Sequence, residues 1–179
     1  MQTGLYHPDE FKDNCGFGLI AQIEGRTSHA LLRSAIDALN CMTHRGGIAA
    51  DGKTGDGCGL LMQKPDRFLR EVAGELFGRP LAELYSCGMV FLSQQESAAL
   101  SARQALEQAL IGEGLVVTGW RPVPTDPTVL GPIALGNMPR FEQIFVEAPA
   151  GLDERTFNVR LFIARRKAER AVAPVDQEF

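Results

Sequence analysis

The sequence predicts a single mixed domain of the α/β or α+β class. Apolar residues recur at helical spacing in four separate stretches, short apolar runs of strand length stand between them, and the two patterns alternate along the chain. The length of 179 residues suits one domain. With 45% hydrophobic and 22% charged residues, a packed core is expected and wholesale disorder is not.

Taken in order, residues 1–14 read as a polar leader without periodicity. Gly16–Ile23 is a strand candidate that turns at Glu24-Gly25. Ser28 can cap a helix from His29 to about Thr43, with Leu31, Leu32, Ala35, Ile36, Leu39 and Met42 predicted as its buried stripe. Residues 46–59 hold too many glycines for a helix or strand and read as a shaped loop. Leu60–Gln63 follows as a short buried strand. Asp66 is placed to cap a second helix, with Phe68, Leu69, Val72, Ala73 and Leu76 on one face and Gly78 at its end. Cys87–Leu92 is a strand, about Ser97 to Gly112 a helix, and Leu115–Val123 a strand closed by prolines. Residues 124–139 read as irregular. Phe141–Glu147 alternates as a strand should. Asp153 caps a last helix to about Arg170, whose basic end suits the helix dipole, and 171–179 reads as a frayed tail.

The formal charge of −4 argues against a dedicated nucleic-acid or anionic-membrane binder. No stretch approaches the ~18 apolar residues of a membrane span. The polar opening lacks the basic and apolar regions of a signal peptide, so a cytoplasmic location is the expectation. The four cysteines, at 15, 41, 58 and 87, form no CxxC pair, which disfavours a metal site. Cys41, Cys58 and Cys87 lie in apolar runs and are expected as small core residues.

Gly47–Thr54 matches the pattern G-x-x-x-x-G-K-[ST] of a phosphate-binding loop. Such a loop needs a strand before it and a helix after it, so that backbone N–H groups face phosphate. Here a helix precedes and a glycine loop follows, which makes Lys53 a solvated loop residue. A calcium loop fails as well, because Met62 stands where the closing Glu belongs.

Cys15 has a different setting. It heads an apolar strand candidate within Asp13-Asn14-Cys15-Gly16-Phe17-Gly18. Cleavage before it would give one residue both a thiol and a free α-amine, with ordinary pKa values of about 8.5 and 7.7–8.0. Nucleophile and base would then share a residue, as in N-terminal threonine enzymes. The alternative is a buried cysteine at a strand start. In Thr43-His44-Arg45-Gly46-Gly47, Arg45 can offer a guanidinium to a carboxylate in a two-pronged contact. Its alternative role is a helix-capping residue, and His44 reads as structural.

DNCGFGLIA, HRGG and ADGKTGDGCGLLMQKPDRF, in that order, resemble the glutamine amidotransferase domain of the glutamate synthase large-subunit family. The resemblance is to the bacterial NADPH-dependent type, with the ferredoxin-dependent enzymes as near relatives. It is dense over 11–70 and looser to about 170. It implies an N-terminal-nucleophile hydrolase, an α+β fold of four αββα layers of which this chain holds part. Residues 1–14 would be a leader, 15–170 a partial class-II amidotransferase domain and 171–179 a tail. Cys15 would be the nucleophile and Arg45 the holder of the glutamine α-carboxylate. The substrate implied is L-glutamine, hydrolysed to glutamate and ammonia for reductive amination of 2-oxoglutarate. No cofactor or metal is expected in this segment. FMN and an iron–sulfur cluster are expected in other parts of the parent subunit, and the partners implied are the rest of that subunit and a small subunit. The family's oxyanion-hole Asn-Gly pair has no counterpart here, since no Asn-Gly dipeptide occurs. The chain alone is therefore expected to be inactive, with a non-catalytic structural or assembly role as the alternative. Part of a sandwich would also leave apolar surface uncovered.

Overall fold

A computed structural model describes residues 16–42 and 46–172. Those residues divide into two units, one drawn from 16–62 with 129–136, the other from 63–128 with 137–172.

The second unit is built on a three-stranded antiparallel sheet. Its elements are α2 (Asp66–Phe77), β1 (Tyr85–Leu92), α3 (Glu96–Gly112), β2 (Val116–Pro122), β3 (Arg140–Glu147) and α5 (Glu154–Val172). The strand order is β1-β3-β2. The last strand in sequence is therefore central, pairing Leu92 with Arg140 and Tyr85 with Glu147 on one side, and Pro122 with Glu142 on the other. That position explains the run Ile144-Phe145-Val146, where all three residues are buried although a strand alternates its faces. Ile144 and Val146 join Val90 and Leu92 beneath α3 and α5, whose Ala102, Leu106, Phe157 and Ala164 complete the larger core. Phe145 points the other way, to Leu69 and Ala73 of α2 with Leu81 and Tyr85. Its ring meets Phe77 edge-on at 5.6 Å between centroids. Full burial of such a ring contributes about 1.5–3 kcal/mol. Helices thus cover both faces of the sheet.

Two helix ends have a clear local cause. Gly78 closes α2 in the left-handed region at φ 67°, donating to Gly74 O at 3.0 Å. Asp153 caps α5: the Thr156 N–H and hydroxyl donate to its two carboxylate oxygens at 3.0 and 2.6 Å. Asp66 behaves differently from the expected cap. It is the first residue of α2, makes no capping bond, and instead accepts from Arg70 Nε (2.9 Å) and the Tyr85 hydroxyl (2.8 Å). These two bonds, Tyr85 first, hold its carboxyl below the usual carboxylate range. Arg70 then donates to the carbonyls of Leu81, Ala82 and Glu83, tying the α2–β1 connection to the helix.

Two buried carboxylates in β3 are matched by cations. Glu142 accepts from Arg103 Nε of α3 at 2.7 Å. Glu147 accepts from the Thr118 hydroxyl at 2.6 Å, from Ala82 N at 3.2 Å and from Arg79. Gly119 follows the register irregularity in β2, and a Cβ there would lie 2.5 Å from Phe77 Cε1, so the Phe77 ring requires glycine.

The first unit contains α1 (His29–Cys41) and the short α4 (Pro132–Gly136). Several expectations need correction here. Gly16–Ile23 and Leu60–Gln63 are not strands, Ile23 lying in a turn, and Phe17, Leu19, Ile23 and Leu61 are 89–100% exposed. A strand's N–H and C=O groups are satisfied by a neighbouring strand; among the described residues no strand pairs with either segment, and the isolated bridge Ile48–Gly55 lies outside both. For the same reason α1 has the predicted apolar stripe but no buried residue. Cys41 and Cys58 are exposed rather than core residues, whereas Cys87 is half-buried in β1. The stretch 124–139, expected to be irregular, contains a 3-10 turn at Pro127–Val129 as well as α4.

Candidate functional site

Cys15 and Arg45, the nucleophile and carboxylate-holder expected from sequence, lie outside the described residues, as do His44, the leader and residues 173–179 of the tail. The described part of the candidate site is the segment on the C-terminal side of Arg45.

Residues 46–57 form a tight, internally braced turn. Ile48 bridges Gly55, Ala49 N donates to Thr54 O at 2.8 Å, and Gly52 N donates to Ala49 O at 2.9 Å. Asp51 holds the turn from within. Its Oδ1 accepts from the Lys53 and Thr54 amides at 3.0 and 2.8 Å, and its Oδ2 accepts from the Thr54 hydroxyl at 2.6 Å. This is the local side-chain-to-backbone pattern for which Asp is favoured in turns. Five causes act on the Asp51 carboxyl. The Thr54 hydroxyl is the largest, the Thr54, Lys53 and Ile133 amides act with it, and desolvation opposes, leaving the carboxyl far below the usual range. The Asp56 carboxylate accepts from Gly47 N at 2.6 Å, fixing the backbone two residues beyond Arg45.

A distant segment completes the brace. Ile133 N donates to Asp51 Oδ2 at 3.2 Å, and Ala134 N donates to Thr54 Oγ1 at 3.3 Å. A Cβ at Gly131 would lie 2.3 Å from Thr54 Oγ1 and 2.7 Å from Asp51 Oδ2, so no side chain fits there. Gly131 was invisible as a site-supporting residue because its partners are about 80 positions away, as the spacing of 80 for Ala134–Thr54 shows. Asp51 and Thr54 carried a readable signal, an Asp three residues before a Thr in a glycine-rich stretch.

The same geometry removes the phosphate-loop alternative. Gly47–Thr54 is a hairpin-like turn without a strand before it, and the next helix begins only at Asp66. Its Asp51-bound amides of Lys53 and Thr54 are already engaged by a carboxylate, where a phosphate would need them. Among the described residues, no cluster of three or more His, Cys, Asp and Glu could hold a metal ion. No described helix is long and apolar enough to cross a membrane.

Similarity to known proteins bears on the undescribed residues. The chain is 37% identical over 167 residues to the glutamate synthase [NADPH] large chain of Bacillus subtilis, covering 93% of this chain and 11% of that one. It is 40% identical over 170 residues to ferredoxin-dependent glutamate synthase 2 of Synechocystis, covering 89% and 11% respectively. The glutamate synthase [NADPH] large chain of Azospirillum brasilense is 34% identical over 171 residues, covering 95% and 11%. The chain thus spans about a tenth of the length of the curated relatives it matches. Residues 15–179 match the family described as glutamine amidotransferases class-II, and the chain belongs to that family.

Proposed function

We propose that the chain is the nucleophile-bearing segment of a glutamate synthase glutaminase, and that Cys15 performs the chemistry once the leader 1–14 is removed. The observation that carries this reading is that the family match opens at residue 15, the cysteine itself. The Cys15 thiolate attacks the side-chain amide carbon of L-glutamine. The α-amine of the same residue protonates the departing ammonia, leaving a γ-glutamyl thioester that water hydrolyses to glutamate. Arg45 holds the substrate α-carboxylate through a bidentate contact. The brace at Asp51, Asp56 and Thr54 serves this role by fixing the backbone that follows Arg45.

In the parent protein the ammonia serves reductive amination of 2-oxoglutarate. On this reading, FMN and an iron–sulfur cluster belong to other segments of the parent subunit. The remaining partners are the rest of the large subunit and a small subunit, in the cytoplasm. The fold of the parent domain is the αββα sandwich, in which Gly16–Ile23 and Leu60–Gln63 pair as strands. Their exposed apolar side chains here support that reading. The chain on its own is inactive, because the oxyanion-hole Asn-Gly pair is not among its residues. Loss of one such donor alone costs roughly 10²–10³ in rate.

The test is made in the full-length parent. Cys15→Ala is expected to abolish glutamine-dependent synthesis while sparing synthesis driven by added ammonia, and intact mass is expected to show a terminus at Cys15. Retained glutamine use in Cys15→Ala overturns the assignment.

A further inference from the structure

The edge of the sheet at β1 is unfinished. Leu84 O accepts from Ala148 N at 3.0 Å, which sets the phase of the β1–β3 ladder. By the alternation of an antiparallel pair, Ser86, Gly88 and Val90 bond towards β3. Tyr85, Cys87, Met89 and Phe91 turn their N–H and C=O groups outward. Lys64 Nζ meets the Tyr85 carbonyl at 3.2 Å, and no described strand meets the outward groups of Cys87, Met89 or Phe91.

The two edges of the sheet are built differently. β2 carries a register irregularity between Val117 and Gly119 and ends in Arg121-Pro122. These are the devices that keep an edge from pairing. β1 reads YSCGMVFL, eight residues with no proline, no charge and no irregularity. Met89 and Phe91 are nearly half exposed along it.

Topology determines which segment can reach that edge. β1 and β2 are both antiparallel to β3 and so parallel to each other, joined by α3 across one face. α5 follows β3 and packs on that same face beside α3. Crossovers share one hand. β3 runs opposite to β1, so a crossover through α5 must travel opposite to the one through α3. It leads away from β2 and arrives outside β1.

We propose that the outer edge of β1 is the acceptor for a fourth strand, antiparallel to β1 and supplied by polypeptide that follows α5 in the longer proteins of this family. The matched segment is only about a tenth of the relatives' length, so they carry polypeptide outside it. The completed sheet would have the order β4-β1-β3-β2, the split βαβ arrangement.

The test joins to Phe179 the stretch of the Bacillus subtilis large chain that follows its counterpart of α5, about 20 residues, enough for a connection and a strand. A scrambled stretch serves as control. Residue-resolved hydrogen exchange is expected to slow at least tenfold at Cys87, Met89 and Phe91 with the native extension only, with Ser86, Gly88 and Val90 unchanged and the protein monomeric. Unchanged exchange at the three outward amides in the folded, extended chain overturns the proposal. So does their protection in the unextended chain together with a dimeric mass, which would make a second copy the occupant. Hydrogen exchange on the intact Bacillus subtilis large chain gives a second readout independent of the fusion's folding, and free exchange at the matching β1 amides there also refutes it.

Discussion

Removal of the Arg103 guanidinium should destabilise the second unit more than any ordinary surface change. Glu142 is 2% exposed in the centre of the sheet, facing α3, with Val90 of β1 directly opposite it in the ladder. Arg103 supplies its cation, with Nε 2.7 Å from the carboxylate, and its guanidinium lies 5.3 Å from the centre of the Trp120 ring. Arg103→Met keeps much of the aliphatic stem but leaves a buried carboxylate alone. Breaking a buried pair in this way costs about 3–5 kcal/mol. The lower end is expected, because the Arg103 side chain is 26% exposed and water can enter beside it. At about 2–4 °C per kcal/mol for a chain of this size, the midpoint should fall by roughly 6–12 °C for a loss of about 3 kcal/mol. Urea unfolding followed by circular dichroism and by the fluorescence of Trp120, the single tryptophan, measures the loss. The double variant Arg103→Met/Glu142→Leu removes both charges and should recover most of it, since a well-packed apolar pair replaces an ion pair at little cost. A loss below about 1 kcal/mol in the single variant, or a double variant no more stable than the single, would refute the reasoning.

Three further outcomes are expected. Gly119→Val should destabilise by about 1–3 kcal/mol through overpacking against Phe77, with Phe77→Leu in the same chain relieving part of the loss in urea titrations. The Asp51 carboxyl is depressed below its unfolded value, so its contribution is complete above about pH 4 and is lost as pH falls through the lower folded value. The Thr54 amide resonance should therefore hold steady down to that pH and move only in stronger acid, and Asp51→Asn should abolish the movement. Burial raises the Cys87 thiol to about 11, so at pH 8 iodoacetamide should modify the exposed Cys41 and Cys58 first and reach Cys87 only in denaturant, as peptide mapping would record.

Much of the second unit was legible because its signals are local. The runs at 87–92, 115–123 and 141–147 became strands within two residues of their expected ends, and Asp153 and Gly78 capped the helices they flank. Pairing was not legible: nothing in FEQIFVE announces that it lies between two earlier strands. Gly16–Ile23 and Leu60–Gln63 have the apolar character of strands, but strand formation depends on a neighbour that the described residues do not contain. At the candidate site, the turn chemistry of Asp51 and Thr54 could be read from their spacing. The need for glycine at 131 could not, because it arises from an approach between segments far apart in the chain.

The placement of the last strand at the centre of its sheet has a consequence for biosynthesis. Tyr85–Leu92 leaves the ribosome well before Arg140–Glu147, its pairing partner. At about 5–20 residues per second, the nascent β1 waits roughly 3–12 seconds with both flanks bare. During translation, this uncharged segment is the stretch of the second unit most in need of a holding chaperone.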